Sequence, residues 1–178
     1  MGYTHYWTFK KPAKGQAAKT EQLYQKAIRD CQLLIRAFYN EHGGLSGYSA
    51  HTKLGAYGGI LVNGKGDDGH EDFSLREHYS QNLEQNFNFC KTAQKPYDVV
   101  VVACLAILKH RLSDLIEVSS DGDNSEWTDG VILARQVTKL KIKNPIKSRF
   151  DLECPYCGKG LNIDFNNCCG ESGHGVNL

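Results

Sequence analysis

The strongest chemical signal in the sequence is ECPYCGKG at 153–160. A Cys-Pro-x-Cys-Gly knuckle turns its backbone so that both thiolates face one ion, and Gly158 permits the tight turn after Cys157. Cys154 and Cys157 supply two ligands. NCCGESGHG at 167–175 offers the others: Cys169, followed by Gly170 as Cys157 is by Gly158, and His174, with Cys168 as the alternative to either. A two-knuckle ribbon would carry Cys-x-x-Cys in both halves, and the second half departs from that pattern. A thiolate-rich site on a short tail reads as closed and structural, because catalytic zinc keeps a coordination position open. The expected cofactor is one structural Zn. The remaining thiols, Cys31, Cys90 and Cys104, bring the total to seven, and an odd, clustered set favours a metal in a reducing compartment over a disulfide framework.

Acidic residues gather in two stretches, GKGDDGHED at 64–72 and SSDGDNSEWTDG at 119–130. In the first, Asp67, Asp68, His70 and Glu71 would hold a divalent ion or act as acid and base in hydrolysis. Asp- and Gly-rich hairpin tips also arise for turn reasons alone. The second sets Asp121, Asp123, Ser125 and Asp129 at the first, third, fifth and ninth positions of a calcium loop, but Glu126 and Ile132 stand where Gly and Glu are required.

The opening MGYTHYWTF puts Tyr3, His5 and Trp7 on one face of a strand. A face mixing an imidazole with rings suits stacking on a base, since His is only moderately common in a sealed core; the other reading is that these rings are core or are covered by the third helix. In FCKTAQKPYD at 89–98, Lys91 and Lys95 surround the start of an apolar helix, a position that attracts anions. Asp121 and Trp127 should lie near the start of the first strand. Together Tyr3, His5, Trp7, Lys91, Lys95, Asp121 and Trp127 form the expected ligand-binding set. Arg135, Lys139, Lys141, Lys143, Lys147 and Arg149 add a run of cations with no acid among them before the knuckle, a phosphate footprint or simply a solvated surface.

These groups must be held by elements that the periodicity marks out. Residues 3–9 alternate as a strand, and Thr20 to about His42 repeats apolar residues at spacings of three and four, with Thr20 as N-cap and Gly43 as the stop. The Gly- and Ser-rich stretch that follows reads as a connection. GILVN at 59–63 and HEDFSL at 70–75 make a hairpin around GKGDDG. VVVVACLAILKHRL after Pro96 is apolar on nearly every face and reads as a buried helix, with a strand over the β-branched run at 99–102 as the alternative. A strand at 115–119 and a helix over 128–140 follow, the latter presenting Ile132, Leu133, Val137 and Leu140 to the core. This order predicts an α+β fold: a ferredoxin-like, split βαβ antiparallel sheet with helices on one face, plus a third helix and a zinc-knuckle tail. The expected domains are 1–145, and 146–178 for the basic linker and tail.

Composition bounds the partners. A chain of 178 residues with 40% hydrophobic and 23% charged residues is globular. A net charge of +1 confines any nucleic-acid role to a local patch. The longest apolar run, at 99–108, falls short of the roughly 20 residues that span a bilayer. The start shows no basic-then-apolar leader, and Tyr6 stands where myristoylation needs Ser or Thr. A cytoplasmic protein with no membrane partner is expected.

MGYTHYW, DDGHEDF, FCKTAQKPYD and VSSDGD with Trp127 resemble a group of uncharacterised small proteins of bacteriophages and prophages, over roughly residues 1–135. The resemblance implies a setting, the cytoplasm of an infected bacterium, and transfers no catalytic residue. The leading expectation is a non-enzymatic binding protein for a nucleotide or nucleic acid, acting to counter or redirect a host system. The alternatives are a metal-dependent or acid–base hydrolase using Asp67, Asp68, His70 and Glu71, and an inhibitor docking on a host protein through an aromatic face.

Overall fold

Alternation of rings with hydroxyl-bearing residues makes the first element a strand, β1 (Thr4–Phe9), with His5, Trp7 and Phe9 buried and Tyr6 and Thr8 half-buried on the other side. The computed structural model describes residues 2–51, 58–85 and 87–146. Helix α1 (Ala17–His42) buries Ala27, Ile28, Cys31, Leu34 and Ile35. It ends at Gly43, whose φ of +67° suits glycine. The start lies before the expected cap: Gln16 occupies the N-cap, and the Thr20 N–H donates to the Gln16 carbonyl at 2.9 Å.

Part of the expected connection is ordered as β2 (Leu45–Ser46) and α2 (Tyr48–His51). Gly47, with φ of +90°, lets it pack on the hairpin, since a Cβ there would fall 2.4 Å from the Leu61 carbonyl oxygen. The hairpin is β3 (Ile60–Gly64) and β4 (Phe73–Leu75), paired Ile60 to Leu75 and Val62 to Phe73. A single turn, α3 (Tyr79–Asn82), leads to β5 (Asn88–Lys91). Then come α4 (Asp98–Leu112), β6 (Ile116–Ser120) and α5 (Thr128–Thr138). Every residue of α4 from Val100 to Leu108 is buried, because α1, α5 and β6 all pack on it. Burial outweighs the weak helix propensity of its four valines.

The fold is α+β with antiparallel sheets, but the expected single ferredoxin-like sheet is not its topology. The described strands form two three-stranded sheets, ordered β5-β1-β6 and β2-β3-β4. The reason is β5, which the sequence reading takes as the lead-in to α4. It pairs with β1 from Thr4–Lys91 to Trp7–Asn88 and occupies the place meant for a hairpin strand, so the hairpin pairs with β2 instead. The strand expected at 115–119 does lie antiparallel beside β1, pairing His5 with Ser120 and Phe9 with Ile116.

Leu133 and Val137 of helix α5, and Leu140 just beyond it, pack against the core as expected, but the helix is rotated enough to turn Ile132 outward. Ile132 is 42% exposed, while Val131 and Ala134 are buried. Gly130 sets this rotation: a Cβ there would lie 2.4 Å from Val102 Cγ1, so its bare backbone is what lets α5 approach α4. Two ring clusters join the layers. Trp7 meets Phe73 at 5.2 Å between centroids, and Phe9, Tyr24 and Tyr79 contact one another edge to face at 5.5–5.9 Å.

Trp7 therefore belongs to the core, being 3% exposed. Trp7→Ala should cost about 3–5 kcal/mol of unfolding free energy, as large aromatic deletions do. Chemical denaturation checks this, and a loss under about 1 kcal/mol would contradict the packing.

Candidate functional site

His5 is completely buried, so both ring nitrogens need partners. Its Nε2 lies 2.8 Å from Asp98 Oδ1 and its Nδ1 lies 2.9 Å from Ser120 Oγ. Ser120 is the cross-strand neighbour of His5 on β6, and Asp98 opens α4. The Thr92 hydroxyl donates to the same oxygen of Asp98, and the Gly122 N–H donates to Ser120 Oγ at 3.0 Å. One proton assignment satisfies all of these groups: Nε2–H donates to Asp98, and the Ser120 hydroxyl donates to Nδ1. Tyr3 and Trp127 close on the imidazole edge to face, at 5.1 and 5.3 Å.

Tyr3 completes the cluster. Its hydroxyl is hydrogen-bonded to Ser120, and burial, reinforced by the charges of Asp98 and Glu126, pushes its ionisation up to about 12. A Cβ on Gly122 would sit 2.0 Å from that hydroxyl, so the turn after β6 needs glycine to seat the ring.

The loop between β5 and α4 is strained. Ala93 and Gln94 have φ of +51° and +55°, a left-handed conformation that non-glycine residues seldom adopt. Surrounding bonds hold them there. The Thr92 and Ala93 N–H groups share the Tyr3 carbonyl at 3.0 and 3.1 Å, Gln94 Nε2 donates to Glu126 at 2.9 Å, and Lys95 Nζ donates to the Asp67 carbonyl at 2.8 Å. Consecutive residues of one loop thus reach both acidic stretches, which lie at the same end of the β5-β1-β6 sheet.

Of the expected ligand-binding residues, Tyr3, His5 and Trp7 do share a face, but that face is sealed: they are 8%, 0% and 3% exposed. Trp127 is buried with them. The two indole N–H groups of Trp7 and Trp127 lie buried without a hydrogen-bond partner among the described residues. Asp121 is near the start of β1 as expected, where its carboxylate accepts from the Thr4 N–H at 3.0 Å and the Tyr6 hydroxyl at 3.1 Å. At the start of α4 the expected phosphate would meet a resident carboxylate, because Asp98 fills the first turn. Lys95 is spent on Asp67, and the Lys91 side chain lies over Gly2.

The residues of the expected hydrolase cluster sit at the hairpin tip and against β5. Glu71 accepts the Lys91 N–H at 2.7 Å, and its carbonyl takes the Tyr97 hydroxyl at 2.7 Å, which ties the hairpin to β5. Asp67, Asp68 and His70 are exposed. Asn63 Oδ1 accepts the Gly64 and His70 N–H groups, so the tip is organised as a turn. Among the described residues no three His, Cys, Asp or Glu side chains converge as a metal site. Asp123 likewise caps Ser125 and Glu126 at 2.9 and 3.3 Å instead of waiting for calcium. Burial pushes the Cys90 thiol up to about 12 and the Cys31 thiol well above its usual value, which makes both inert. Cys154, Cys157, Cys168, Cys169 and His174 lie outside the described residues.

The rings that do face outward are others. Tyr6, on the outer side of β1, pairs across the strands with Phe89, and Phe87 stacks on Tyr6 at 5.6 Å and 27°. Phe87 and Phe89 are 60% and 54% exposed. FNF at 87–89 carried the signal, since its rings alternate at strand period.

No protein-family model matches the chain, and no curated protein and no solved structure matches it. No described helix is long and apolar enough to cross a membrane.

Burial also holds the Tyr79 hydroxyl up to about 12, and Tyr97 higher still. An ionisation raised above its ordinary value of 10.0 stabilises the fold below pH 10, and that stability is lost as pH climbs toward the folded value. In an absorbance titration of the tyrosines, Tyr3, Tyr79 and Tyr97 should ionise late, with melting temperature falling above about pH 10. Tyr3→Phe should remove one late tyrosine. A titration in which all phenols ionise together near 10 would contradict the burial of these hydroxyls.

Proposed function

We propose that the chain is a binding module for single-stranded nucleic acid, with the outer face of the β5-β1-β6 sheet as its stacking platform. The observation that carries this reading is the cluster Tyr6, Phe87 and Phe89: Phe87 stacks on Tyr6 and lies tilted against Phe89 at 6.2 Å, and two of the three rings are more than half exposed. A base presents an apolar face to such rings whatever its identity, and sheet-borne aromatics are a recurring way of holding splayed bases. Tyr6 and Phe89, fixed by strand pairing, lose little freedom when a base stacks on them.

The charges favour bases over phosphates as the main contact. Lys91 shares the outer face of β5 with Phe89, but Asp121 bonds the Tyr6 hydroxyl and the Lys10–Glu117 ion pair flanks β1. Binding should therefore depend weakly on salt, with a log–log slope near that of one phosphate contact, about −0.7. Within the bacteriophage setting that the resemblance implies, such a module would redirect a host process that exposes single strands. The tail adds one structural zinc held by Cys154, Cys157, Cys169 and His174, with Cys168 in reserve. Elemental analysis of the purified full chain should find one zinc per chain, and clearly less than half an equivalent would remove this part of the reading.

The test is fluorescence anisotropy with a labelled single-stranded oligonucleotide. Phe89→Ala should weaken binding by about 1–3 kcal/mol while changing stability by no more than about 0.5 kcal/mol, as exposed substitutions do. No binding by the wild-type chain, or binding unchanged in Phe89→Ala, would overturn the proposal. Host-protein docking on the same rings would then take its place.

A further inference from the structure

We propose that Ser120, His5 and Asp98 are a nucleophile, its base and the group that orients the base, giving the protein hydrolytic activity toward neutral or cationic acyl esters. The three side chains form one unbroken line: Ser120 Oγ to His5 Nδ1 at 2.9 Å, then His5 Nε2 to Asp98 Oδ1 at 2.8 Å. This is the chain of contacts that activates a serine hydroxyl, with the roles of the two imidazole nitrogens exchanged. Each member is steadied in turn. Thr92 holds Asp98, Tyr3 and Trp127 pack edge to face on the ring, and β1–β6 pairing sets His5 opposite Ser120.

Exposure is graded in the sense the chemistry needs. His5 is sealed, Asp98 is 17% exposed at its side chain, and Ser120 is partly exposed at the end of β6. The Gly122 N–H, 3.0 Å from Ser120 Oγ, and the Tyr3 hydroxyl both hydrogen-bond that oxygen and fix its position beside the imidazole. Next to them lies the strained pair Ala93 and Gln94.

Substrate class follows from the surroundings. Asp121 and Glu126 are exposed and Asp123 is partly so in the turn that follows Ser120, a field that repels anions and excludes phosphoesters. The buried ring presents only Nδ1, through the position of Ser120, so a leaving group that needs little protonation departs best. That favours esters over amides. Ser120 Oγ bonds to the acyl carbon as its proton passes to Nδ1. The carbon–oxygen bond to the alcohol then breaks, and the leaving oxygen takes that proton. Water hydrolyses the acyl-serine by the same route, its proton going to Nδ1 and then to Ser120, and the carboxylic acid is released. The Nε2 proton stays directed at Asp98 throughout.

The experiment treats the purified full chain with a fluorophosphonate probe, which phosphonylates activated serines with loss of fluoride, and maps the adduct by peptide mass spectrometry. One adduct on Ser120 is expected, absent in Ser120→Ala and unaffected in Ser119→Ala, whose side chain lies on the other face of the strand. Asp98→Asn should slow labelling by about 10²-fold or more, and should lower kcat for p-nitrophenyl acetate with little change in KM, since Asp98 positions the base without touching substrate. If Asp98→Asn melts below the assay temperature, Thr92→Val, which removes only the hydroxyl that steadies Asp98, must slow labelling in its place. Absence of labelling in the wild-type chain, an adduct on another residue, or a rate unchanged in the folded variants would overturn the proposal.

Discussion

An imidazole buried five residues from the chain start cannot be left with a bare nitrogen, and the way this protein meets that demand organises everything around it. His5 draws one partner from 93 residues away and the other from 115 residues away. Losing either would strand a buried polar group at a cost of about 1–3 kcal/mol. The two bonds therefore fix the register of β6 on β1 and the point at which α4 begins. Once those are set, Thr92, the strained loop and the turn through Gly122 have little freedom left.

The same burial decides what each side of the first strand can do. Because strand residues alternate, sealing His5, Trp7 and Phe9 forces Tyr6 outward, and pairing with β5 sets Phe89 beside it. A polar relay is thus enclosed on one face while rings are displayed on the other. Asp121 touches both, through the Thr4 backbone and the Tyr6 hydroxyl. The acidic turn shields one end of the ring platform from phosphates and gives the region around Ser120 its negative field.

Periodicity made β1, α1, α4, β6 and α5 legible, and the Gly- and Asp-rich turn marked the β3–β4 hairpin although β4 has only three residues. β5 was hidden: four residues directly before Thr92 and Pro96 look like the approach to a helix, and only pairing with β1 makes them a strand. That one omission also misplaced the hairpin. The spacing of Tyr3, His5 and Trp7 showed that they share a face but not which face is the core, since rings suit either. Trp127 and Asp121 were placed correctly near the first strand, whereas Ser120, Asp98 and Thr92 carried no local signal. Their meaning lies in contacts across most of the chain, which no short motif encodes. The expected acid–base cluster illustrates the converse: Asp67, Asp68 and His70 are adjacent in sequence where a turn needs polar residues, and adjacency alone does not make side chains meet.

The central claim is the division of the aromatic residues into a sealed inner set and a displayed outer set that meets the ligand. Nuclear magnetic resonance of the labelled full chain, titrated with a single-stranded oligonucleotide, reads both sets in one experiment. The account predicts that ring signals of Tyr6, Phe87 and Phe89 shift progressively while the indole N–H signals of Trp7 and Trp127 stay in place. Movement of the indole signals with the outer rings silent would contradict it.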